Sequence, residues 1–228
     1  MGEHVAPTTP AKKKRSNIFW NIVGVVGELL ITFAIIVGLF SVWQLYWTTY
    51  EVAGQVSQTI ASYEEEHQPS KRTLGEVRTD DPPAFDREVG DGEVYGLVHV
   101  PTWDWMKIPL AEGTTSYVLD QGWAGHYDMT TQPGGVGNFS IAGHRRTYGN
   151  NFRWIDRLTQ GDKVVVEVDD HYLVYSMVSS EIIDATDPTQ MRVVAPVIDD
   201  VSWSETPTER WMTMTTCHPE YGNWQRYI

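Results

Sequence analysis

The sequence predicts a mainly β domain that is preceded by one membrane-spanning helix. Two observations lead to this prediction. Residues 18–47 form one long apolar run, and residues 94–228 contain several short apolar or alternating runs, separated by turn signals, with few helical patterns. Short strands with regular turns and very little helix are typical of a closed β-barrel or a β-sandwich.

The composition limits the number of domains and the class of partner. A chain of 228 residues is long enough for one medium-sized domain with appendages. Its net charge is −13, and the acidic excess lies after residue 50. Because such an excess repels polyanions, we expect no nucleic-acid partner for the main domain. The chain has a single cysteine, so it cannot form an intramolecular disulfide.

The apolar run at residues 18–47 predicts an uncleaved transmembrane anchor. A helix of this length exceeds the hydrocarbon thickness of a bilayer, which is about 30 Å. Trp20 near one end and Trp47 at the other match the aromatic belts of membrane interfaces. The basic residues 12–15 precede the run, which predicts a cytoplasmic tail over residues 1–17 and an extracellular main domain. The run is too long for a signal peptide, and no small-residue cleavage site follows it.

Residues 48–93 predict a helical stalk and a flexible linker. In the stalk, apolar residues recur every three or four positions, as is typical of a helix: Val52, Val56, Ile60 and Tyr63. Residues 68–92 mix Pro, Gly and charged residues without apolar periodicity, which indicates a flexible tether. We therefore place the start of the folded domain near Val94 and assign residues 94–228 to the main β domain.

Five segments of this domain have strand patterns: 94–100, 138–142, 163–168, 172–178 and 210–217. The third and fourth flank a short polar turn, which predicts a hairpin. The last segment alternates, with Met212, Met214 and Thr216 on one side of the predicted strand.

Cys217 ends this last predicted strand, in the segment TMTTCHP. Pro219 cannot continue the hydrogen-bonded ladder, so the thiol lies at a strand terminus. A lone cysteine is more often buried and inert than reactive. A nucleophilic thiol needs a base or cation that increases its thiolate fraction, and a positive group near the oxyanion. Arg226 stands nine residues later, across a loop with Gly222 that can fold the next strand back beside the first.

Seven histidines compete for the role of the base. Four of them lie in the tail, the stalk, a turn or the middle of a strand: His4, His67, His171 and His99. His218 is adjacent to Cys217, but alternation along a strand turns neighbouring side chains to opposite faces. His126 and His144 remain. We favour His144, because it follows an apolar strand and a glycine and can project from the strand end into a cleft.

At these residues the chain resembles the sortase family, and among sortases the class E group of high-GC Gram-positive bacteria. The family's Thr-Leu-x-Thr-Cys signature appears as TMTTC, with Met214 in place of Leu. The family's histidine matches His144 in GNFSIAGHR, and its arginine matches Arg226 in the strand after the cysteine loop. The segments GHYDMTTQPGGVGNFSIAGHRRTYG, GDKVVV and TTCHP extend the resemblance over most of residues 94–228, and GELLIT in the anchor is also similar.

The resemblance implies an eight-stranded sortase β-barrel with Cys217, His144 and Arg226 as catalytic residues. In the family the last strand continues a few residues further, so we expect the chain to be shortened at Ile228.

The resemblance to class E also implies the substrate. It predicts a sorting signal similar to Leu-Ala-x-Thr-Gly rather than Leu-Pro-x-Thr-Gly. Tyr127, in the loop before the histidine strand, is expected to recognise the second position of this signal. Thr215 and Thr216 of the signature are expected to bind substrate as well.

The predicted reaction is acyl transfer, in which Cys217 cleaves the C-terminal sorting signal of a secreted protein or pilin between Thr and Gly. His144 protonates the departing amine, and Arg226 stabilises the oxyanion or the substrate backbone. The acceptor is an amine of a peptidoglycan precursor or a pilin, and we expect no metal or organic cofactor. We expect the enzyme in the cell membrane, as a single-pass protein whose catalytic domain is extracellular.

Two alternatives remain at this point. One is a different Cys/His peptidase or transpeptidase, such as an L,D-transpeptidase, although Cys217 follows Thr216 rather than the His-Gly of that class. The other is a non-catalytic anchored β-domain with an inert thiol.

Overall fold

The structure is a computed structural model that describes residues 18–68, 76–83, 85 and 87–228. The chain divides into two compact units, Met1–Val42 and Trp43–Ile228. In the described residues, the first unit contributes one long helix, and the second contains a β-sheet with two α-helices.

Helix α1 (Ile18–Val42) has the length and composition of a membrane span. Its 25 residues, at about 1.5 Å each, exceed the about 30 Å of a bilayer's hydrocarbon core. Large apolar side chains such as Leu29, Phe33 and Leu39 are more than half exposed. A helix that exposes apolar side chains on all sides is suited to lipid. The predicted apolar helix is therefore present, with its end at Val42; Trp43–Trp47 forms a π-helical turn of the second unit.

The second unit is built on one sheet. Its strands are β1 (Val94–Val100), β2 (Met106–Glu112), β3 (Ala124–His126), β4 (Gly137–Ala142), β5 (Lys163–Val168), β6 (His171–Ser176), β7 (Ile182–Asp184), β8 (Arg210–His218) and β9 (Gln225–Tyr227). Their order across the sheet is β6-β5-β1-β2-β3-β4-β8-β9-β7. Neighbouring strands are antiparallel, except that β2 pairs with β3 and β4 pairs with β8 in parallel.

The mainly β prediction is confirmed, and all five predicted strands are present. The strand count is different: among the described residues the sheet has nine strands rather than eight, and β6 and β7 lie at its two ends, so that this part of the chain does not form a closed barrel. Strands β3, β7 and β9 have only three residues each. Three residues are too few to show a period-two pattern, which is why the sequence did not reveal these strands. Strand β2 was not predicted either, and its run contains Pro109, a residue that argues against a central strand.

The main core lies on one face of the sheet. Val98, Ile108, Phe139 and Ile141 are buried in it together with Met214 of β8, and Met212 packs against it. Alternation along β8 therefore turns Thr213, Thr215 and Cys217 toward the opposite face. This opposite face, called the second face below, carries a smaller apolar cluster. The thiol of Cys217 lies on this second face.

Helix α2 (Thr48–His67) is the predicted stalk helix. Val52 and Tyr63 of its apolar stripe are buried, and the helix packs against β1 and β2. Glu64 of α2 also forms an ion pair with Lys107 of β2. The apolar stripe thus packs against the sheet, and the helix is part of the same compact unit as residues 94–228.

The described part of the predicted linker also contacts this unit. The ring of Phe85 lies 5.5 Å from that of Tyr95, and Val89 packs against the main core. Arg210 Nη1 lies 2.9 Å from Asp81 Oδ1. The remainder of the predicted linker, at residues 69–75, 84 and 86, lies outside the described residues.

Helix α2 also contacts two glycine-containing loops outside the sheet. A Cβ atom on Gly122 would lie 2.9 Å from Val56 Cγ2 and 3.0 Å from the backbone oxygen of Tyr148. A Cβ atom on Gly149 would lie 3.6 Å from Val52 Cγ2 and 3.4 Å from Gly122 Cα. The two loops therefore contact each other through their backbones, underneath α2.

We expect Gly122→Ala to destabilise the protein by about 2 to 4 kcal/mol. The positive φ of +77° at this position costs about 1 to 3 kcal/mol for a residue with a Cβ atom, and the overlap with Val56 and Tyr148 adds about 1 kcal/mol or more. Gly161→Ala is the matched control, because Gly161 also has a positive φ but has nothing within 4 Å of its added Cβ atom. Thermal unfolding followed by circular dichroism measures both variants. Equal losses of stability would contradict the close packing of α2 on this loop.

Candidate active site

Cys217 lies near the end of β8, as the sequence predicts. It is a free cysteine, and its side chain is partly exposed. Because it points away from the main core, its thiol is reachable from the second face of the sheet. The first condition for a reactive thiol, access, is therefore met.

Arg226 lies directly opposite Cys217 in the antiparallel pair of β8 and β9. Opposed residues of such a pair project to the same face, with their Cβ atoms about 5 Å apart. Strand β7 pairs with the other edge of β9, where Ile183 is the partner of Arg226, so β9 is held on both sides. Arg226 Nη1 donates to the carbonyl oxygens of Asn223 at 2.7 Å and Gln225 at 2.9 Å. Among the described residues, no carboxylate lies within ion-pair distance of this guanidinium group.

His144 follows β4, which is the parallel neighbour of β8. In the register of this pair, Ala142 is opposite Thr215, and the backbone N–H of Gly143 donates to the carbonyl oxygen of Thr215 at 3.2 Å. His144 and Cys217 each stand two residues beyond Ala142 and Thr215, the last pair of β4 with β8. Parallel pairing therefore brings the imidazole and the thiol to the same end of the sheet.

The backbone before His144 is held closely in place. A Cβ atom on Gly143 would lie 2.9 Å from the ring of Phe152, so only glycine fits there. The backbone N–H of Phe152 donates to the carbonyl oxygen of His144 at 3.0 Å. Thr216 Oγ1 donates to the carbonyl oxygen of Gly143 at 2.6 Å. Thr216 is 3% exposed and faces away from Cys217, so this threonine fixes the strand that leads to His144 and does not line the open face.

Tyr127 and Thr215 lie beside the thiol on the second face of the sheet. Their side-chain oxygens are 2.9 Å apart, and Thr215 precedes Cys217 by two residues. Tyr127 also packs against the smaller apolar cluster of Ile183, Val193 and Val194. Burial raises the pKa of Tyr127, and the hydrogen bond with Thr215 and the charge of Arg226 partly oppose this rise. Tyr127 is therefore neutral, and its ring lies close to the thiol.

Two side chains next to these residues were not identified from the sequence. Asp120 Oδ1 lies 2.7 Å from His144 Nε2, and nothing in the segment LDQG indicated this contact. The other is Arg145, which is 4% exposed. It follows His144 directly in the segment GHRR, and this adjacency could have identified it as a residue near the site.

Arg145 connects three elements around the thiol. Its Nη1 lies 2.9 Å from His218 Nδ1, and its Nη2 donates to Asp156 Oδ2 at 2.9 Å. Its guanidinium carbon lies 5.7 Å from the ring centre of Tyr227 on β9. Arg145 thus holds the residue after Cys217 and the residue after Arg226. His218 is engaged here, which agrees with the expectation that it turns away from the thiol.

His126, the competing histidine, is fully buried. Its Nδ1 lies 2.9 Å from Glu112 Oε2, and its Nε2 lies 3.0 Å from Thr130 Oγ1. Both ring nitrogens are therefore engaged within the protein. His99 is likewise buried and lies 2.9 Å from a carboxylate oxygen of Glu167. Among the described residues, no group of three or more His, Cys, Asp or Glu side chains has a geometry that could hold a metal ion.

Comparison with known proteins identifies the fold and the family. Residues 98–228 match the model of the sortase domain. Sortase SrtE1 of Streptomyces coelicolor is 36% identical over 209 residues, which are 89% of this chain and 54% of that protein. Sortase SrtE2 of the same organism is 31% identical over 222 residues, which are 95% of this chain and 84% of that protein. The chain thus spans about half the length of the first relative and most of the second.

Solved structures show the same architecture. The SrtA sortase from Actinomyces oris has a TM-score of 0.60 and 45% identity, covering 66% of this chain and 84% of that one. The structure of sortase E1 from S. coelicolor with a tripeptide in the active site has a TM-score of 0.52 and 40% identity, covering 60% of this chain and 85% of that one. The observed sheet agrees with the matched sortase domain and with the class E relatives. The chain therefore belongs to the sortase family, a family of cysteine transpeptidases.

Proposed function

We propose that this chain is a membrane-anchored transpeptidase in which Cys217 is the nucleophile. The proposal rests on one observation above the others: Arg226 is paired directly with Cys217 across β8 and β9. A fixed cation beside a partly exposed thiol is placed to stabilise the oxyanion of an acyl transfer. The family match decides against the L,D-transpeptidase alternative and makes the inert β-domain the weaker explanation of this pair.

The reaction follows from the roles of the three side chains. The sulfur of Cys217 attacks the carbonyl carbon of the scissile Thr-Gly bond and forms a tetrahedral intermediate. Arg226 and backbone N–H groups stabilise the negative charge on its oxygen. His144 gives a proton to the glycine nitrogen, the C–N bond breaks, and a thioester with Cys217 remains.

The second half of the reaction reverses these roles. An acceptor amine attacks the thioester carbonyl and gives its proton to His144, and the C–S bond breaks to release the new amide. The enzyme returns to its starting state with no net change in oxidation. The acceptor is an amine of a peptidoglycan precursor or a pilin, as the family resemblance implies.

Substrate binding is proposed on the second face of the sheet, along Thr215 and Tyr127. A tripeptide occupies the active site of the related sortase E1, which supports a peptide as the ligand of this site. The hydroxyl of Tyr127 is held by Thr215, which precedes Cys217 by two residues on β8. The ring of Tyr127 thereby forms a rigid wall near the thiol. We propose that this wall selects alanine over proline at the second position of the signal Leu-Ala-x-Thr-Gly.

We expect Tyr127→Ala to reduce the preference for the alanine peptide by about tenfold, measured as the ratio of kcat/KM for Leu-Ala-x-Thr-Gly to that for Leu-Pro-x-Thr-Gly. The missing ring leaves room for the proline ring, and a difference of one to two methylene groups changes discrimination by about 10- to 200-fold. Tyr127→Phe is the matched control, because it keeps the wall and should keep the ratio. An unchanged ratio in Tyr127→Ala would remove Tyr127 from the specificity site.

Location is also part of the proposal. Helix α1 is long and apolar enough to anchor the chain, and the basic residues 12–15 favour a cytoplasmic N-terminus. The domain after Trp43 would then act outside the cell membrane, where sorting signals of exported proteins arrive.

The wild-type chain in detergent micelles provides the test of the proposed function. It should cleave a fluorogenic Leu-Ala-x-Thr-Gly peptide, and in the presence of a glycine-based amine it should release the ligated product, which mass spectrometry identifies. Failure to cleave either the alanine or the proline peptide would refute the transpeptidase proposal. Cleavage to the free acid alone, at saturating amine, would instead indicate a peptidase.

A further inference from the structure

We infer that Asp120 is a positioning residue for His144: it binds Nε2 of the imidazole and thereby assigns proton transfer to Nδ1. The inference deepens the proposed function and rests on it. Asp120 Oδ1 and His144 Nε2 are 2.7 Å apart, which is a short, charge-assisted distance. Among the described residues, Nδ1 of His144 has no hydrogen-bond partner within the protein.

The backbone of Asp120 is fixed independently of this contact. Asp120 ends the short helix α3 (Ser116–Leu119), and its N–H donates to the carbonyl oxygens of Ser116 and Val118. The N–H of Gly122, two residues later, donates to the carbonyl oxygen of Leu119 at 3.0 Å. The carboxylate is therefore presented by a rigid turn rather than by a loose surface loop.

The two loops that carry the pair are also held together. The loop after α3 and the loop after His144 touch at Gly122 and Gly149, where an added Cβ atom on Gly149 would lie 3.4 Å from Gly122 Cα. Val52 of helix α2 covers this contact. On the His144 side, the ring of Tyr148 lies 5.4 Å from the imidazole. The distance between Asp120 and His144 is thus set by backbone packing, not only by the ion pair.

The chemistry of the pair decides which ring nitrogen reacts. An ionised carboxylate only accepts hydrogen bonds, so Nε2 of His144 is the nitrogen that carries the hydrogen toward Asp120. Nδ1 is then the nitrogen that gives its proton to the leaving amine and takes a proton from the acceptor amine. Without Asp120, the neutral ring can adopt either tautomer and can turn about its side-chain bonds. Both changes reduce the fraction of molecules in which Nδ1 of His144 is placed for proton transfer.

The exposure of the pair limits the size of the effect. The side chain of His144 is 25% exposed and that of Asp120 is 37% exposed, so water screens the charge and can replace part of the hydrogen bonding. We expect kcat to fall about tenfold in Asp120→Asn, whose amide oxygen can still accept from Nε2. In Asp120→Ala, which removes the acceptor, kcat should fall about 100-fold. KM should change less than about twofold in both variants, because Asp120 contacts the histidine and not the substrate.

The experiment compares four full-length chains in detergent micelles: wild type, Asp120→Asn, Asp120→Ala and Asp199→Asn. The last is a control of equal charge change, since the partner of Asp199 is Arg192 rather than a residue of the site. Cleavage of the Leu-Ala-x-Thr-Gly peptide gives kcat and KM. Nitrogen-15 NMR of histidine-labelled protein reports the tautomer of the ring, with the His144 signals assigned by their loss in His144→Gln.

The expected result is a wild-type His144 that is protonated at Nε2, a changed tautomer signal in Asp120→Ala, and the stated losses of kcat with an unchanged unfolding temperature. Wild-type kcat in both Asp120 variants would overturn the inference, as would a His144 ring whose tautomer is the same with and without Asp120. If the wild-type chain cleaves no peptide, the proposed function fails instead, while the NMR signals still report on the Asp120–His144 contact.

Discussion

Replacing Cys217 with alanine is expected to abolish both peptide cleavage and amine transfer, with a loss of at least about 10⁴-fold in kcat. No other thiol exists in the chain, because Cys217 is its single cysteine. Without the sulfur no thioester forms, and the residual contribution of Arg226 and substrate binding cannot replace a covalent step. The measurement is the rate of product formation with the Leu-Ala-x-Thr-Gly peptide, together with the intact mass of the protein after incubation.

The single cysteine makes the mass measurement specific. Wild type mixed with the peptide and without added amine should show one mass increase that corresponds to the acyl-enzyme, and Cys217→Ala should show none. Iodoacetamide should modify wild type once, because Cys217 is partly exposed. The unfolding temperature should stay within a few degrees of wild type, since only a small, partly exposed side chain is removed. Retained turnover in a folded Cys217→Ala chain would mean that the thiol is not the nucleophile.

Replacing Arg226 with alanine is expected to lower kcat by about 100- to 1,000-fold, the effect of removing one oxyanion donor. Arg226 shares a face of the sheet with Cys217 because the two residues are opposite each other in the β8–β9 pair. Its loss removes the cation that stabilises charge near the thiol and on the tetrahedral intermediate. Arg226→Lys should recover only part of the activity, since an ammonium group keeps the charge but not the planar, two-pronged donor geometry.

Gln225→Ala is the matched control for Arg226. Gln225 is the neighbour of Arg226 on β9 and pairs with His218, so alternation turns its side chain to the other face of the strand. We expect kcat of this variant to stay within about threefold of wild type, in line with a residue outside the site. Equal activities of Arg226→Ala and Gln225→Ala would remove Arg226 from the mechanism.

Local patterns predicted much of this protein correctly. Residues 18–42 of the apolar run form helix α1, and the five segments with strand patterns appear as strands. Met212 and Met214 face the core as their alternation indicated, which places Cys217 on the other face. The sortase resemblance of the motifs around His144, Cys217 and Arg226 is confirmed at the level of the family. These features depend on residues close together in the chain, where periodicity and turn chemistry act directly.

What the tertiary structure decided involves partners that are distant in sequence. Asp120 and His144 are 24 residues apart, Arg145 and His218 are 73 apart, and Tyr127 and Thr215 are 88 apart. The contacts arise from the pairing of β4 with β8, from the contact between the loops of Gly122 and Gly149, and from the packing of α2 over both. No local pattern indicates which distant backbone fills the space beside a glycine, or which carboxylate meets an imidazole. The sequence alone therefore determined helices α1 and α2, the longer strands except β2, and the reactive residue types. The register between strands and the packing of loops decided which side chains meet, because both depend on the whole chain being folded.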